Sequence, residues 1–200
     1  MMLSKVRVIG ITGITGSGTS TVAGILREKG CFVISADSLA HDAIKKGQEA
    51  YAKIVEAFGA SILDPDGEIN RKALGTHVFG EENKINRSYL ESVIHPVVLA
   101  AIKELINNCE SPFAVIDAPL LIESGLGKEC DEVWLITASD EVRTIRIIER
   151  DKIDKSTATK RIKSRQNEEC LINHADVVIS NNEGIAGLLD QVNKIFGGRL

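Results

Sequence analysis

The sequence predicts an α/β protein: a five-stranded parallel sheet flanked by helices. Three observations carry that expectation. Five short apolar runs rich in β-branched residues recur along the 200 residues, separated by segments of helical periodicity. The runs are continuously apolar rather than alternating, the pattern of strands covered on both faces. The first run ends in glycine and passes directly into a helix.

The first strand is "VRVIGIT" (Val6–Thr12). "STVAGILREKG" follows as a helix, with Gly30 suited to its C-terminal stop. "CFVIS" is the second strand, "FAVID" (Phe113–Asp117) the third, "EVWLIT" (Glu132–Thr137) the fourth and "DVVIS" (Asp176–Ser180) the fifth. Roughly 75 residues separate strands two and three, too many for a simple crossover. Within them Tyr51, Ile54, Val55 and Phe58 follow i, i+3, i+4, i+7. "DPDG" (Asp64–Gly67) is a turn. A second helical face runs from Leu90 to Leu105 and is expected to be interrupted at Pro96. This block reads as a substrate-binding insertion. Between strands four and five, "RTIRIIERDKIDKSTATKRIKSRQ" reads as two helices around a polar turn. Such a cationic segment suits a closing lid, and a solvated helical face is the alternative. The expected organisation is one domain: a core of about 1–37, 110–140 and 168–200, an insertion of about 38–109 and a lid of about 141–167.

Bulk properties exclude several classes. A hydrophobic content of 44% with 26% charged residues belongs to a soluble globular chain. The formal net charge of −4 argues against a nucleic-acid-coating protein. No apolar run approaches the roughly 18 residues of a membrane span, and the run Val6–Ile11 is too short for the core of a signal peptide. Cys31, Cys109, Cys130 and Cys170 are widely spaced, which favours free thiols over a zinc site and a cytoplasmic setting.

The chemistry concentrates at Gly13–Ser20, "GITGSGTS". A P-loop reads G-x-x-x-x-G-K-[ST], and every fixed position fits except Thr19, where lysine belongs. The backbone N–H groups of such a loop converge on an anion, and the helix N-terminus adds positive potential. Gly13, Gly16 and Gly18 permit close approach. Ser20 occupies the position of the hydroxyl that ligates Mg²⁺. The dinucleotide-binding pattern G-x-G-x-x-G fits less well, because Thr21 stands where glycine or alanine is needed.

Further stretches, in order, carry a family resemblance: "ISADSLAHD" (Ile34–Asp42), "GEINRKALGTHVF" (Gly67–Phe79), "IHPVV" (Ile94–Val98), "DAPLLIESGL" (Asp117–Leu126), "SRQ" (Ser164–Gln166) and "ADVVISNN" (Ala175–Asn182). With the glycine loop they make nearly the whole chain resemble the dephospho-CoA kinase family. The resemblance implies a P-loop NTPase fold and transfer of the ATP γ-phosphoryl group to the 3′-hydroxyl of dephospho-CoA, with Mg²⁺. It assigns nucleotide binding to Gly13, Thr15, Gly16, Ser17, Gly18, Thr19, Ser20, Thr21 and Asn181, the last near the adenine contacts. Asp37 matches the acidic residue expected to accept the hydroxyl proton; a helix N-cap is its alternative role. Arg71, His95, Asp117 and Leu120 fall at substrate-binding positions, Asp117 also being Walker-B-like in place. Of Arg146, Arg150 and Arg165 at least one is expected on the ATP phosphates, and Arg146 and Arg165 are the catalytic candidates. The chain departs from the family pattern at Thr19 and at Ser35, which replaces an aspartate. These departures leave two rivals open: a diverged kinase for another hydroxyl compound, or a catalytically weak CoA- or nucleotide-binding chain. The expected partners are ATP and dephospho-CoA, with neither nucleic acid nor membrane, in a monomer or weak homo-oligomer.

Overall fold

The computed structural model describes residues 6–163 and 168–198. Along the chain lie β1 (Arg7–Gly13), α1 (Thr19–Glu28), β2 (Phe32–Ser35), α2 (Ala36–Ala43), α3 (Glu49–Phe58), α4 (Arg71–Val78) and α5 (Lys84–Asn107). They are followed by β3 (Phe113–Asp117), β4 (Glu132–Thr137), α6 (Asp140–Asp151), α7 (Lys155–Lys163), α8 (Glu168–Ile172), β5 (Val177–Ser180) and α9 (Gly184–Gly197). The five strands form one parallel sheet of order β2-β3-β1-β4-β5. β1 is central, with Ile11 level with Asp117 of β3 on one side and Trp134 of β4 on the other. Among the described residues, no helix is long and apolar enough to cross a membrane.

The apolar runs become strands because both sheet faces are covered. On one face Ile9, Ile11, Val115, Trp134 and Ile136 pack against Val22 and Leu26 of α1 and Leu188, Val192 and Phe196 of α9. On the other, Leu135 packs against Ile14 and Leu171. α1 stops at Gly30, whose φ of 88° suits a residue without Cβ. α7 starts where Asp154 accepts hydrogen bonds from the Thr157 N–H and hydroxyl, which satisfies an otherwise unpartnered helix-end donor.

The chain divides into two compact units, one of Met1–Ile34 with Cys109–Leu200 and one of Ser35–Asn108. The first holds the sheet and its core. The second has a core of its own in which Ile54 and Ile62 are fully buried, with Leu74 and Val78 of α4 around them. One element departs from expectation here. α5 is not interrupted at Pro96 but runs through it. A helix-interior proline removes one hydrogen bond and crowds the preceding turn, at about 3 kcal/mol. Leu90, Val93, Ile94 and Val97 pack on the second unit's core on both sides of the proline, and Val98 and Ile102 are buried beyond it. Burying apolar side chains of this size stabilises by about 1.5–3 kcal/mol each, which exceeds the penalty.

Candidate functional site

The glycine loop leaves the carboxyl end of β1, where open α/β sheets place their ligand sites. Gly18 is the residue before α1 and has φ of 100°, a left-handed conformation that glycine adopts without a steric cost. A Cβ built on Gly13 would lie 2.6 Å from the Ile136 carbonyl oxygen and 2.8 Å from Thr19 Cγ2. The loop can therefore fold this tightly only with glycine at position 13. Thr19 opens α1, and the Ser20 and Thr21 side chains are exposed on its first turn.

What the loop's backbone does is set by its carbonyls. The Ile14 carbonyl accepts the Ser17 N–H at 3.0 Å, and the Gly18 carbonyl accepts the Thr21 N–H at 3.1 Å. The Thr15 carbonyl accepts Arg143 Nε at 2.9 Å. The Ser17 carbonyl accepts Asn181 Nδ2 at 2.7 Å and Arg146 Nη1 at 3.3 Å, and the Gly16 carbonyl lies 3.5 Å from the same Nη1. With the carbonyls of residues 14–18 tied back, the groups that the loop leaves open include, among the described residues, the N–H groups of Gly16, Gly18, Thr19 and Ser20. An array of N–H groups at a helix N-terminus is an anion site, so the loop suits phosphate despite Thr19.

Two of its braces were candidate residues and one was not. Arg146 Nη2 donates to the Asn181 carbonyl at 3.0 Å and to Asn181 Oδ1 at 3.1 Å, so Asn181 is held by Arg146 and itself holds the loop. Arg143, which sequence reasoning missed, is 4% exposed. It lay unmarked in a charge run, and the signal was its i, i+3, i+4 relation to Arg146 and Ile147 on one face of α6. A Cβ on Gly16 would sit 3.2 Å from both the Arg143 carbonyl oxygen and Ile147 Cδ1, which shows how closely α6 underlies the loop. Arg150 instead pairs with Asp151, at 2.7 Å through Nε. Arg165 lies outside the described residues. Asp117 ends β3, half-buried, and Leu120 is exposed in the turn after it.

The second unit gathers another group of candidates. Asp37 is exposed in the first turn of α2. It is not the N-cap: Ser35 is, and its Oγ accepts the Ser38 N–H at 3.3 Å. Serine and aspartate cap equally well, and β2 ends so that Ser35 is the last extended residue. Arg71 begins α4 behind the Asn70 cap, whose Oδ1 accepts the Lys72 and Ala73 N–H groups. Arg71 Nη1 lies 3.1 Å from His41 Nδ1. Asp37, Ser38, His41, Asp42 and Arg71 line an open cleft of about 350 Å³. Lys45 Nζ lies 2.6 Å from Asp42 and, as hydrogen-bond donor first and charge second, holds that carboxyl below its ordinary range. His95 is half-buried midway along α5.

The model of one protein family, described as dephospho-CoA kinase, matches residues 7–187. The chain belongs to the dephospho-CoA kinase family. A dephospho-CoA kinase of Fusobacterium nucleatum is 42% identical over 190 residues, covering 95% of this chain and 97% of that one. Among solved structures, TT1252 of Thermus thermophilus superposes with a TM-score of 0.82 at 29% identity over 98% of each chain. The dephospho-CoA kinase of Campylobacter jejuni gives 0.69 at 28% identity, covering 96% of this chain and 98% of that one. Membership in the dephospho-CoA kinase family accounts for an anion-binding loop and a separate unit carrying acid and base side chains, since a kinase moves a phosphoryl group from a nucleotide to a second substrate.

Proposed function

We infer that this chain is a dephospho-CoA kinase, transferring the γ-phosphoryl group of ATP to the 3′-hydroxyl of the dephospho-CoA ribose, the last step of coenzyme A synthesis. The observation that carries this reading is the family match across residues 7–187, in a chain whose loop offers N–H groups with its carbonyls tied back.

The loop residues Gly13 and Thr15–Thr21 form the ATP phosphate site, with Gly16, Gly18, Thr19 and Ser20 offering the backbone N–H groups that the loop leaves open. Mg²⁺, when bound, would neutralise charge on the transferring group, and the Ser20 hydroxyl, exposed on the first turn of α1, would be its ligand from the protein. Arg146 supplies the positive charge that Thr19 does not. Its hydrogen bonds go to the neutral oxygens of Gly16, Ser17 and Asn181, so no carboxylate cancels its charge there among the described residues. Arg165 is the second cation, carried by a lid of about 141–167 that excludes water. The unit of about 38–109 receives dephospho-CoA, with Arg71 and His95 as contacts, and Asp117 and Leu120 complete its binding. Asp37 accepts the hydroxyl proton as general base. Four free cysteines support a cytoplasmic setting.

The test is turnover of purified protein with ATP, Mg²⁺ and dephospho-CoA, coenzyme A being measured by chromatography and mass spectrometry. Coenzyme A formation at the roughly 1–100 s⁻¹ of ordinary kinases is the expected result. Binding of MgADP without turnover would favour the second reading, a weak nucleotide-binding chain, which Thr19 and Ser35 favour. Absence of both would overturn the assignment.

A further inference from the structure

We propose that Arg143 is a positioning residue for phosphoryl transfer: it holds the Thr15 carbonyl away from the phosphate side of the loop and so fixes the direction of the neighbouring N–H groups. The inference rests on the phosphate-loop reading above and adds to it a residue that touches neither substrate nor metal.

Three observations carry it. Arg143 is 4% exposed, and a buried arginine is rare unless its donors are used. Its Nε donates to the Thr15 carbonyl at 2.9 Å across 128 positions of sequence. Its Nη1 donates to Asp140 Oδ1 at 3.0 Å. The second bond decides between two roles for the guanidinium. With Asp140 beside it, the charge of Arg143 is largely offset locally and adds little field at the loop; Arg146, bonded to neutral oxygens, is the cation there. What Arg143 contributes is direction. A peptide plane whose oxygen is pinned on one side presents its N–H on the other. The Thr15 oxygen belongs to the peptide whose nitrogen is Gly16 N, one of the open donors. Turned over, that peptide would present a carbonyl oxygen to the phosphates in place of a donor.

Three variants separate direction from charge and from mere stability. In Arg143→Gln the side-chain Nε2 stands the same number of bonds from Cβ as arginine Nε, so the bond to Thr15 survives without the charge. In Arg143→Met a methyl group stands there and no donor remains. Arg143→Lys keeps the charge and carries its ammonium one bond too far. The expected pattern is a KM for ATP raised about tenfold or more in Arg143→Met, about threefold or more in Arg143→Lys, and within about threefold of the natural value in Arg143→Gln. KM for dephospho-CoA should stay within about twofold throughout. A purely structural role would lower the melting temperature and the active fraction but leave KM for ATP alone.

An unchanged KM for ATP in Arg143→Met overturns the proposal, as does Arg143→Gln failing as badly as Arg143→Met. Should Arg143→Met not fold, Arg143→Lys decides, and natural KM for ATP in that variant overturns the proposal. The underlying reading fails separately: natural protein that binds no MgADP by calorimetry removes the phosphate loop, and Arg143's role with it.

Discussion

Replacing Asn181 by alanine removes one side chain that both latches the loop and steadies Arg146. Two hydrogen bonds disappear, Asn181 Nδ2 to the Ser17 carbonyl at 2.7 Å and Arg146 Nη2 to Asn181 Oδ1 at 3.1 Å. Neither partner is wholly orphaned: the Ser17 carbonyl keeps Arg146 Nη1 at 3.3 Å, and Arg146 Nη2 keeps the Asn181 main-chain carbonyl at 3.0 Å. The cost is therefore that of two net bonds rather than of buried unsatisfied groups, about 2 kcal/mol. For a chain of this size each kcal/mol moves Tm by about 2–4 °C, so Tm should fall by about 4–8 °C. Calorimetric melting measures that. Kinetics test the functional half: with the latch gone, KM for ATP should rise about tenfold while the ratio of kcat/KM for ATP to that for GTP stays unchanged. A selective collapse of that ratio would make Asn181 a reader of the adenine ring and refute the latch. Unchanged Tm with unchanged KM would refute the geometry as well.

Thr19→Lys should raise kcat/KM by about tenfold or more, since a charged hydrogen bond contributes about 1.5–3 kcal/mol; a brisk natural enzyme that the lysine does not improve would mean that Arg146 already serves in full. Asp37→Asn should lower kcat by about 10²–10⁴, the range for a positioned base, with little change in Tm because Ser35 is the cap; near-natural kcat would strip Asp37 of its role. Burial pushes the Cys31 thiol up to about 11 and the Cys130 thiol up to about 12, from 9.0. Native protein at pH 8 should therefore titrate with Ellman's reagent mainly at the half-buried Cys109 and exposed Cys170. Unfolded chains ionise these thiols first, so the stability that burial of neutral Cys31 and Cys130 contributes is complete below pH 9.0 and is lost as pH rises toward about 12; a flat Tm over that alkaline window would contradict it.

The strands were legible because a parallel sheet demands apolar β-branched runs wherever it occurs; Phe113–Asp117 and Glu132–Thr137 coincide with β3 and β4 to the residue. The path of α5 through Pro96 was not. The proline rule is local, and what overrode it was packing of Val93, Ile94 and Val97 against residues from α3 and α4. Asp37 as a possible cap shows a different limit. Ser35 and Asp37 are both good capping types, and only the end of β2 selects between them. The glycine loop announced itself through spacing, but its supports did not. Arg143 meets Thr15 across 128 positions and Asn181 meets Ser17 across 164, and no local periodicity encodes such pairings.

Those separations also order events as the chain is made. Synthesis delivers the N-terminal segment first, at about 5–20 residues per second, so the glycine loop exists long before anything that holds it. β1 must wait for β3 and β4 to flank it, then α6 must dock to bring Arg143 and Arg146. Asn181 comes last, 164 positions after the serine it grips. Closing contacts so distant in sequence is entropically slow. The nascent polypeptide therefore carries the Thr15 and Gly16 carbonyls without their partners until α6 has docked, and the Ser17 carbonyl without Asn181 until β5 has left the ribosome, so the fully braced loop is acquired at the final stage of folding rather than with the segment that bears the motif.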